Sequence, residues 1–333
     1  MRAGPGRAAG LGGDFARLWT ANAVSNLGDG VTGVAAPLLM ASLTGDPALV
    51  AGAVLAQQLP WLLLSLPSGA YVDRLDRRRL LVAVNLLRGA ALAGLAVAVW
   101  GGAVSVPVVY AALFLLGVGG TLADNASFAL LPAIVPADRL AWANARLMAG
   151  YLVANQLAGG PLGAWLFVVA AALPFGFDAA SFVVGAGLIA ALRPRPAAAA
   201  AAAPGRPRPL RADIAEGVRW LWRQRTLRLL AVCLGLMNLT GAGTFAIWVL
   251  WARERLGVRG VGFGLLVTAY AAGGLLGTTL AGRLEARLGA AVLLRAGLVV
   301  EALCQLSLAL TRRPWVAGVT LVLFGAHAMV WGW

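Results

Sequence analysis

The stretch Gly69-Ala-Tyr-Val-Asp73-Arg74-Leu-Asp76-Arg77-Arg78-Arg79 places four arginines and two aspartates between two long apolar runs. The run before it, residues 49–70, has no formal charge, and the run after it, residues 80–110, carries only Arg88. A short basic loop between two spans is typical of the cytoplasmic side of a membrane, because arginine resists translocation. The stretch therefore predicts a membrane protein and gives the orientation of its second and third spans.

The composition of the chain supports the same conclusion. Hydrophobic residues make up 60% of the chain, charged residues make up 12%, and the mean hydropathy is +0.82. Too few polar residues remain to cover a soluble globule. The net charge of +14 would also suit a nucleic-acid-binding protein, but most of the arginines lie in loops between apolar runs, where they orient spans. We therefore expect the lipid bilayer, and no nucleic acid, as a partner.

Hydropathy divides the chain into ten candidate spans, since about 20 apolar residues cross the hydrocarbon core. They lie at residues 15–41, 48–70, 80–100, 104–125, 141–167, 172–192, 228–251, 262–282, 290–310 and 314–333. The linker at 193–227 begins with a Pro-broken segment and ends in an amphipathic stretch, which predicts either an interfacial helix or a solvated linker helix. The arginines concentrate on one side of the membrane if the N-terminus is inside, so we predict a cytoplasmic N-terminus.

An internal repeat appears at an offset of 213 residues. This shift lays Gly28-Asp29-Gly30 onto Gly241-Ala242-Gly243, and it lays Gly69 and Arg74 onto Gly282 and Arg287. It predicts two halves of parallel topology: six spans in residues 1–192, the linker 193–227, and a partial second half in residues 228–333. We expect the second bundle to be truncated after its fourth helix, so that the 333-residue chain is a fragment of a protein of about 400 residues and is unstable alone.

Several motifs together resemble the major facilitator superfamily of transporters. The stretch at 69–79 is similar to the loop between the second and third helices of that family. Asn26-Leu-Gly28-Asp29, Leu131-Pro132-Ala-Ile-Val-Pro136 and Phe177-Asp178-Ala-Ala-Ser181-Phe182 resemble a branch of bacterial exporters related to the enterobactin and macrolide efflux proteins. The resemblance implies an all-α polytopic fold of two six-helix bundles around a central cavity. It also implies proton antiport, although Gln156 and Ala164 replace glycines of the antiporter motif.

Charged residues inside the spans are the first candidates for function, because an ionised group at the bilayer centre costs at least about 2.5–3.5 kcal/mol on insertion scales. Asp29 lies near mid-membrane in the first span, between two glycines that permit close helix approach. We predict that it faces the cavity and binds protons or a cationic part of the substrate. The alternative is a structural aspartate at a helix crossing. Arg88 is its candidate countercharge, or else part of the loop network.

The second half contributes a further candidate for coupling. Glu301 lies about midway along the ninth span and ranks above Asp178, which lies near the external end of the sixth span. His327 has no carboxylate or cysteine neighbour in the sequence, so its position predicts no functional role. Gly159 with Gly163, and Gly273 with Gly277, are spaced as small-residue helix contacts, and we interpret both pairs as packing sites.

A cytoplasmic gate is implied by the family resemblance. Its candidate members are Gly69, Asp73, Arg74, Arg78 and Asp124. The resemblance puts Asp73 at the end of helix 2 and Asp124 at the end of helix 4, so that arginines between them would hold one state of the gate. Ordinary positive-inside anchoring is the alternative explanation for the arginines. Polar candidates for the cavity wall, or for helix-to-helix hydrogen bonds, are Gln57, Gln58, Asn155, Gln156 and Asn238.

The sequence contains no nucleophile elbow, metal-ligand spacing or phosphate loop, so we predict neither an enzyme nor a cofactor. The predicted function is secondary-active, proton-coupled export of small amphipathic drugs or siderophore-like molecules, in the bacterial plasma membrane. The proton gradient would supply the energy, and the complete protein would be a monomer. Two alternatives remain: a passive facilitator or importer, and a membrane scaffold or sensor that does not transport.

Overall fold

The computed structural model describes residues 12–72, 75–192, 219–220 and 222–331. Within these residues the chain is helical and contains no β-strand. The long helices are α1 Gly12–Leu43, α2 Pro47–Val72, α3 Arg77–Trp100, α4 Val106–Ile134, α5 Leu140–Val169, α6 Leu173–Ala190, α7 Arg225–Arg255, α8 Val261–Leu288, α9 Ala290–Leu310 and α10 Pro314–Trp331. They coincide with the ten predicted spans, and most of the predicted linker lies outside the described residues.

The helices form a multi-pass membrane protein. In the described part of the chain, α2, α3, α4, α5, α6, α8 and α9 are long and apolar enough to cross a bilayer. Large apolar side chains cover their outer faces, including Leu62, Val97 and Leu303. So much exposed apolar surface would drive association in water, whereas in a bilayer it contacts lipid. The prediction of a membrane protein is confirmed.

The ends of the basic loop are fixed by hydrogen bonds. Asp76 is the N-cap of α3, and its carboxylate accepts a hydrogen bond of 2.9 Å from the backbone N–H of Arg79. Arg78 donates a hydrogen bond of 2.7 Å to the carbonyl of Leu192, just beyond the end of α6. A cation suits the carbonyl end of a helix. The loop therefore also secures α6 through the start of α3.

The two halves pack in corresponding ways. In the first half α2 lies along α4, and in the second half α8 lies along α10, as the repeat predicts. The halves meet where α1 and α2 contact α7 and where α5 contacts α8. Arg253 at the end of α7 donates a hydrogen bond of 2.7 Å to the carbonyl of Ala41. We call this side of the bundle the α1–α2 end, and the opposite side, with residues 75–76, the α2–α3 end.

Glycines permit the closest helix crossings. Gly159 and Gly163 on α5 face the backbone of α1 at Gly30 and Val31, and a side chain at Gly163 would strike the Val31 carbonyl. Gly273 and Gly277 on α8 face the backbone of α10 in the same manner. Two helices can approach this closely only where one of them lacks a Cβ. Both predicted packing sites are therefore confirmed.

The crossing of α1 and α5 provides a test of this packing. Gly163→Ala should destabilise the protein by about 1–3 kcal/mol, because the new methyl group must displace the backbone of α1. The matched control is Gly94→Ala on α3, where nothing lies within 4 Å of the added methyl group, so its stability should be unchanged or raised. Thermal unfolding of both variants in detergent measures the difference. Equal midpoints would contradict the close crossing.

Candidate functional site

An ion pair joins the first and third helices inside the N-terminal half. The Nη2 atom of Arg88 on α3 lies 2.6 Å from Oδ1 of Asp29 on α1. The arginine side chain is 12% exposed and the aspartate side chain is 29% exposed. The guanidinium also lies 4.0 Å above the ring of Phe182 on α6, a favourable cation–π geometry. Arg88 thus contacts Asp29 and not the basic loop, which decides between the two interpretations of the sequence.

Small residues around the ion pair make room for it. Gly119 on α4 faces the aliphatic stem of Arg88, and a Cβ there would come within 2.5 Å of its Cγ atom. Gly30 faces the carbonyl of Asn155 on α5. Within the described residues, the Nε atom of Arg88 is buried without a hydrogen-bond partner. The arginine therefore holds a donor that Asp29 does not use.

A second buried carboxylate lies beside the ion pair, and the sequence ranked it too low. Asp178 on α6 is fully buried and lies beside Gly28 and Thr32, near the middle of α1. The Thr32 hydroxyl donates to its Oδ2 atom at 2.5 Å, and the Ser181 hydroxyl donates to its Oδ1 atom at 3.0 Å. A side chain at Gly28 would strike this carboxylate. Asp178 is the sixth residue of α6, and the fold brings it against the middle of α1.

A cavity of about 170 Å³ opens beside Asp29. It is lined by residues of α1, α2, α4, α5 and α8, and therefore by both halves of the chain. Its polar lining consists of Asp29, Gln57, Gln58, Asn155 and Gln156. The rest is mostly apolar, including Val34, Leu113 and Val267. Ligand sites of membrane transporters commonly combine an apolar wall with a few polar groups in this way. The side chain of the fifth polar candidate, Asn238, lies outside the described residues.

A π-helical segment shapes one wall of the cavity. It spans Leu152–Gly159 in the middle of α5 and carries two of the cavity amides. The Gln156 amide donates hydrogen bonds of 3.0 Å to Asn155 Oδ1 and to the Tyr151 hydroxyl. Segments of π-helix are rare in proteins, and those that occur are often found at functional sites. Gln156 occupies one of the motif positions where the resembling antiporters have glycine, so this departure from the motif alters the cavity wall.

The second half contains a separate polar pair. His327 Nε2 on α10 lies 3.1 Å from Glu301 Oε2 on α9, and both side chains are mostly buried. The sequence near His327 contains no carboxylate, and the fold supplies one from another helix. The repeat offset of 213 residues relates Arg88 to Glu301, so the two halves carry a charge at equivalent positions. Glu301 does not line the cavity beside Asp29.

The gate candidates are only partly visible. Gly69 lies within α2, whereas Asp73 and Arg74 lie outside the described residues. Arg78 binds the carbonyl that follows α6, and Asp124 is exposed on α4. The gate therefore stays a prediction.

The ion pair yields a test by paired substitution. Asp29→Asn leaves a buried guanidinium without its carboxylate and should destabilise the protein by roughly 3 kcal/mol, the lower end for breaking a buried pair. Adding Arg88→Gln should restore most of that stability, because it removes the uncompensated charge.

The control is Asp14→Asn, which breaks the more exposed Arg17–Asp14 pair on α1 and should cost less than about 1 kcal/mol. Unfolding midpoints of the purified variants measure all three effects. Simple additivity of the two substitutions would show that Asp29 and Arg88 do not interact.

Two curated proteins are similar to this chain in sequence. A stretch of 220 residues is 32% identical to the multidrug efflux pump Tap of Mycobacterium tuberculosis (strain ATCC 25618 / H37Rv), and covers 64% of this chain and 51% of that protein. A stretch of 147 residues is 36% identical to an MFS-type transporter of the same strain, and covers 43% of this chain and 33% of that protein. The chain thus spans about half the length, or less, of these curated relatives.

Solved structures show the same fold at low identity. The nucleoside transporter NupG superposes with a TM-score of 0.77 at 9% identity, over 96% of this chain and 80% of that chain. A bacterial homologue of the lysosomal transporter Spinster, inward-facing and occupied, superposes with a TM-score of 0.71 at 16% identity, over 96% of this chain and 72% of that chain. Such identities show the fold alone, which is the major facilitator fold. The transmembrane secretion effector family matches residues 11–332, and the chain belongs to that family of major facilitator transporters.

Proposed function

We propose that this protein is a secondary-active exporter of small amphipathic molecules that carry a cationic group, driven by the proton gradient. One observation carries the proposal: the Asp29 carboxylate lines a cavity that both halves of the chain share. A carboxylate within a membrane span is costly, so its position in the wall of a cavity favours a role in binding. The similarity to a protein named as a multidrug efflux pump supports export.

The cavity lining supports the proposed substrate class. Apolar side chains such as Val34, Val50 and Leu113 would contact the hydrophobic part of a ligand, and the four amides would orient its polar groups. Asp29 would attract a positive charge and repel an anion. We therefore favour amphipathic cations over siderophore-like anions as substrates.

Contacts between the halves support an alternating-access cycle. In the described residues these contacts include the Arg253–Ala41 hydrogen bond, close to the α1–α2 end. They also include the approach of Gly264 on α8 to Ala164 on α5. We propose that the halves rock about the cavity, so that substrate enters from the α2–α3 end and leaves at the α1–α2 end. With a cytoplasmic N-terminus, that direction is export.

The gate at the α2–α3 end is part of the same proposal. Its members would be Gly69, Asp73, Arg74, Arg78 and Asp124. Arg78 already links the start of α3 to the end of α6, so a change in the loop would reach the helix that carries Asp178. The arginines would stabilise the closed state of this end through charge-assisted hydrogen bonds.

A passive facilitator is the second candidate function. The observation that favours it is the pairing of Asp29 with Arg88, since a neutral ion pair can bind polar substrates without exchanging protons. The two functions differ in their response to the proton gradient. Only the exporter moves its substrate against a concentration difference.

Accumulation of fluorescent amphipathic cations separates these functions. Cells that produce the full chain should accumulate less dye than cells without it, and a protonophore should abolish the difference. Asp29→Asn should remove export, because the cavity loses its only described carboxylate. Export is normalised to the amount of folded protein in the membrane, because this variant is also expected to be less stable.

The control is Asp46→Asn in the exposed loop before α2, where asparagine can replace aspartate in capping the helix. This variant should export as wild type does. Faster equilibration of the dye with no change in its final accumulation, with or without the protonophore, would favour a facilitator. Export by Asp29→Asn at the wild-type rate would refute the role of this carboxylate.

A further inference from the structure

Three charged side chains from three helices meet inside the N-terminal half. Asp29 on α1 and Arg88 on α3 form the ion pair, and Asp178 on α6 lies one helical turn from Phe182, the ring on which the Arg88 guanidinium rests. Residues four apart on a helix share one face. Asp178 interacts electrostatically with both Asp29 and Arg88, so the group contains two acids and one base.

The surroundings of Asp178 differ from those of Asp29. In the described part of the chain its side-chain hydrogen bonds come from two hydroxyls, and no cation forms an ion pair with it. It is fully buried and absent from the cavity wall, whereas Asp29 lines the cavity. A buried carboxylate without a countercharge is far more stable as the neutral acid. Hydroxyls can serve either state, because they donate to a carboxylate and accept from a carboxylic acid.

Arg88 is placed to bind either carboxylate. It uses Nη2 to bind Asp29, and its buried Nε has no hydrogen-bond partner among the described residues. A rotation of the guanidinium over the Phe182 ring would turn its Nε–H group toward Asp178. The ring keeps its stacking contact in either orientation, so the change does not expose the charge to lipid.

We propose that Asp178 carries the transported proton and that Arg88 exchanges between Asp29 and Asp178 as this proton leaves and returns. With Asp178 protonated, Arg88 neutralises Asp29 and the cavity attracts no cation. When the proton leaves Asp178 for solvent, Arg88 moves to the new carboxylate and leaves Asp29 free to bind a substrate cation. The site then holds one proton or one substrate cation at a time, which makes exchange with a monovalent cation electroneutral.

This inference rests on the proposed function and assigns its proton to a second residue. The charged or titratable groups around Asp178 are Asp29 on α1 and Arg88 on α3, with Asp124 on α4 on the far side of Arg88. Asp29 is the direct competitor for the arginine. Asp124 interacts electrostatically with both Arg88 and Asp29, so its charge also acts on the ion pair.

Infrared spectroscopy of the full chain in lipid tests the protonated state without any transport. Wild type should show the band of a protonated buried carboxylic acid. Asp178→Asn should remove the band, whereas the loop control Asp46→Asn should retain it. Asp29→Asn frees Arg88 to pair with Asp178, so it should weaken the band. Thr32→Val should shift the band, because it removes a hydroxyl that contacts Asp178. This second variant serves if Asp178→Asn does not fold.

Proton release tests the exchange. Adding tetraphenylphosphonium to wild type in weakly buffered solution should release one proton for each cation bound. Asp178→Asn mimics the protonated state and keeps Arg88 on Asp29, so it should bind little cation and release no proton. Asp29→Asn should also bind little. In vesicles Asp178→Asn should lose transport of the cation against a gradient.

The outcomes distinguish this inference from the proposed function. If wild type exports cations and Asp178→Asn retains both the infrared band and the proton release, the inference fails and the function stands. A band that disappears only in Asp29→Asn also overturns the inference. If wild type moves no cation but loses the band on Asp178→Asn, the proposed function fails while Asp178 remains the protonated group.

Discussion

The N-terminal half depends on one constraint: a charge inside the membrane must have a partner of opposite sign. Asp29 and Arg88 satisfy it for each other at 2.6 Å, although 59 residues separate them in the chain. Helices α1 and α3 supply the pair. Glycines at 28, 30 and 119 let α6, α5 and α4 pack closely against these two helices. Because of the same constraint, polar side chains lie where helices enclose them, and the outer surface of the bundle is apolar.

The arrangement of the helices was predictable from sequence because each span satisfies its own backbone hydrogen bonds, so hydropathy over about 20 residues defines it. Asp29 could be predicted for a similar reason, since its depth follows from its position in the first span. Asp178 and His327 were misjudged because their neighbours belong to other helices. The signal for Asp178 was Gly28, whose missing side chain accommodates the carboxylate.

The two halves share a scaffold but differ in their polar chemistry. At equivalent positions of the third helix of each half, one carries Arg88 and the other carries Glu301. Their partners are not equivalent, since Arg88 binds a carboxylate on the first helix and Glu301 binds His327 on the fourth helix of its half. The position corresponding to Asp29 is Ala242. The repeat thus accounts for the similar helix packing of the two halves, and a few sequence differences between the halves account for their different polar pairs.

The π-helical segment of α5 has a consequence for how that helix can move. Its wider turns take up more residues than α-helical turns, so the part after Gly159 is out of phase with the part before Leu152. The later part contacts α8 and the other half of the protein, while the earlier part belongs to the N-terminal half alone. Helix α5 therefore consists of two α-helical segments that are joined by a π-helical segment. If the C-terminal half rotates the later segment relative to the earlier one, the backbone would change first at Asn155 and Gln156, which line the cavity.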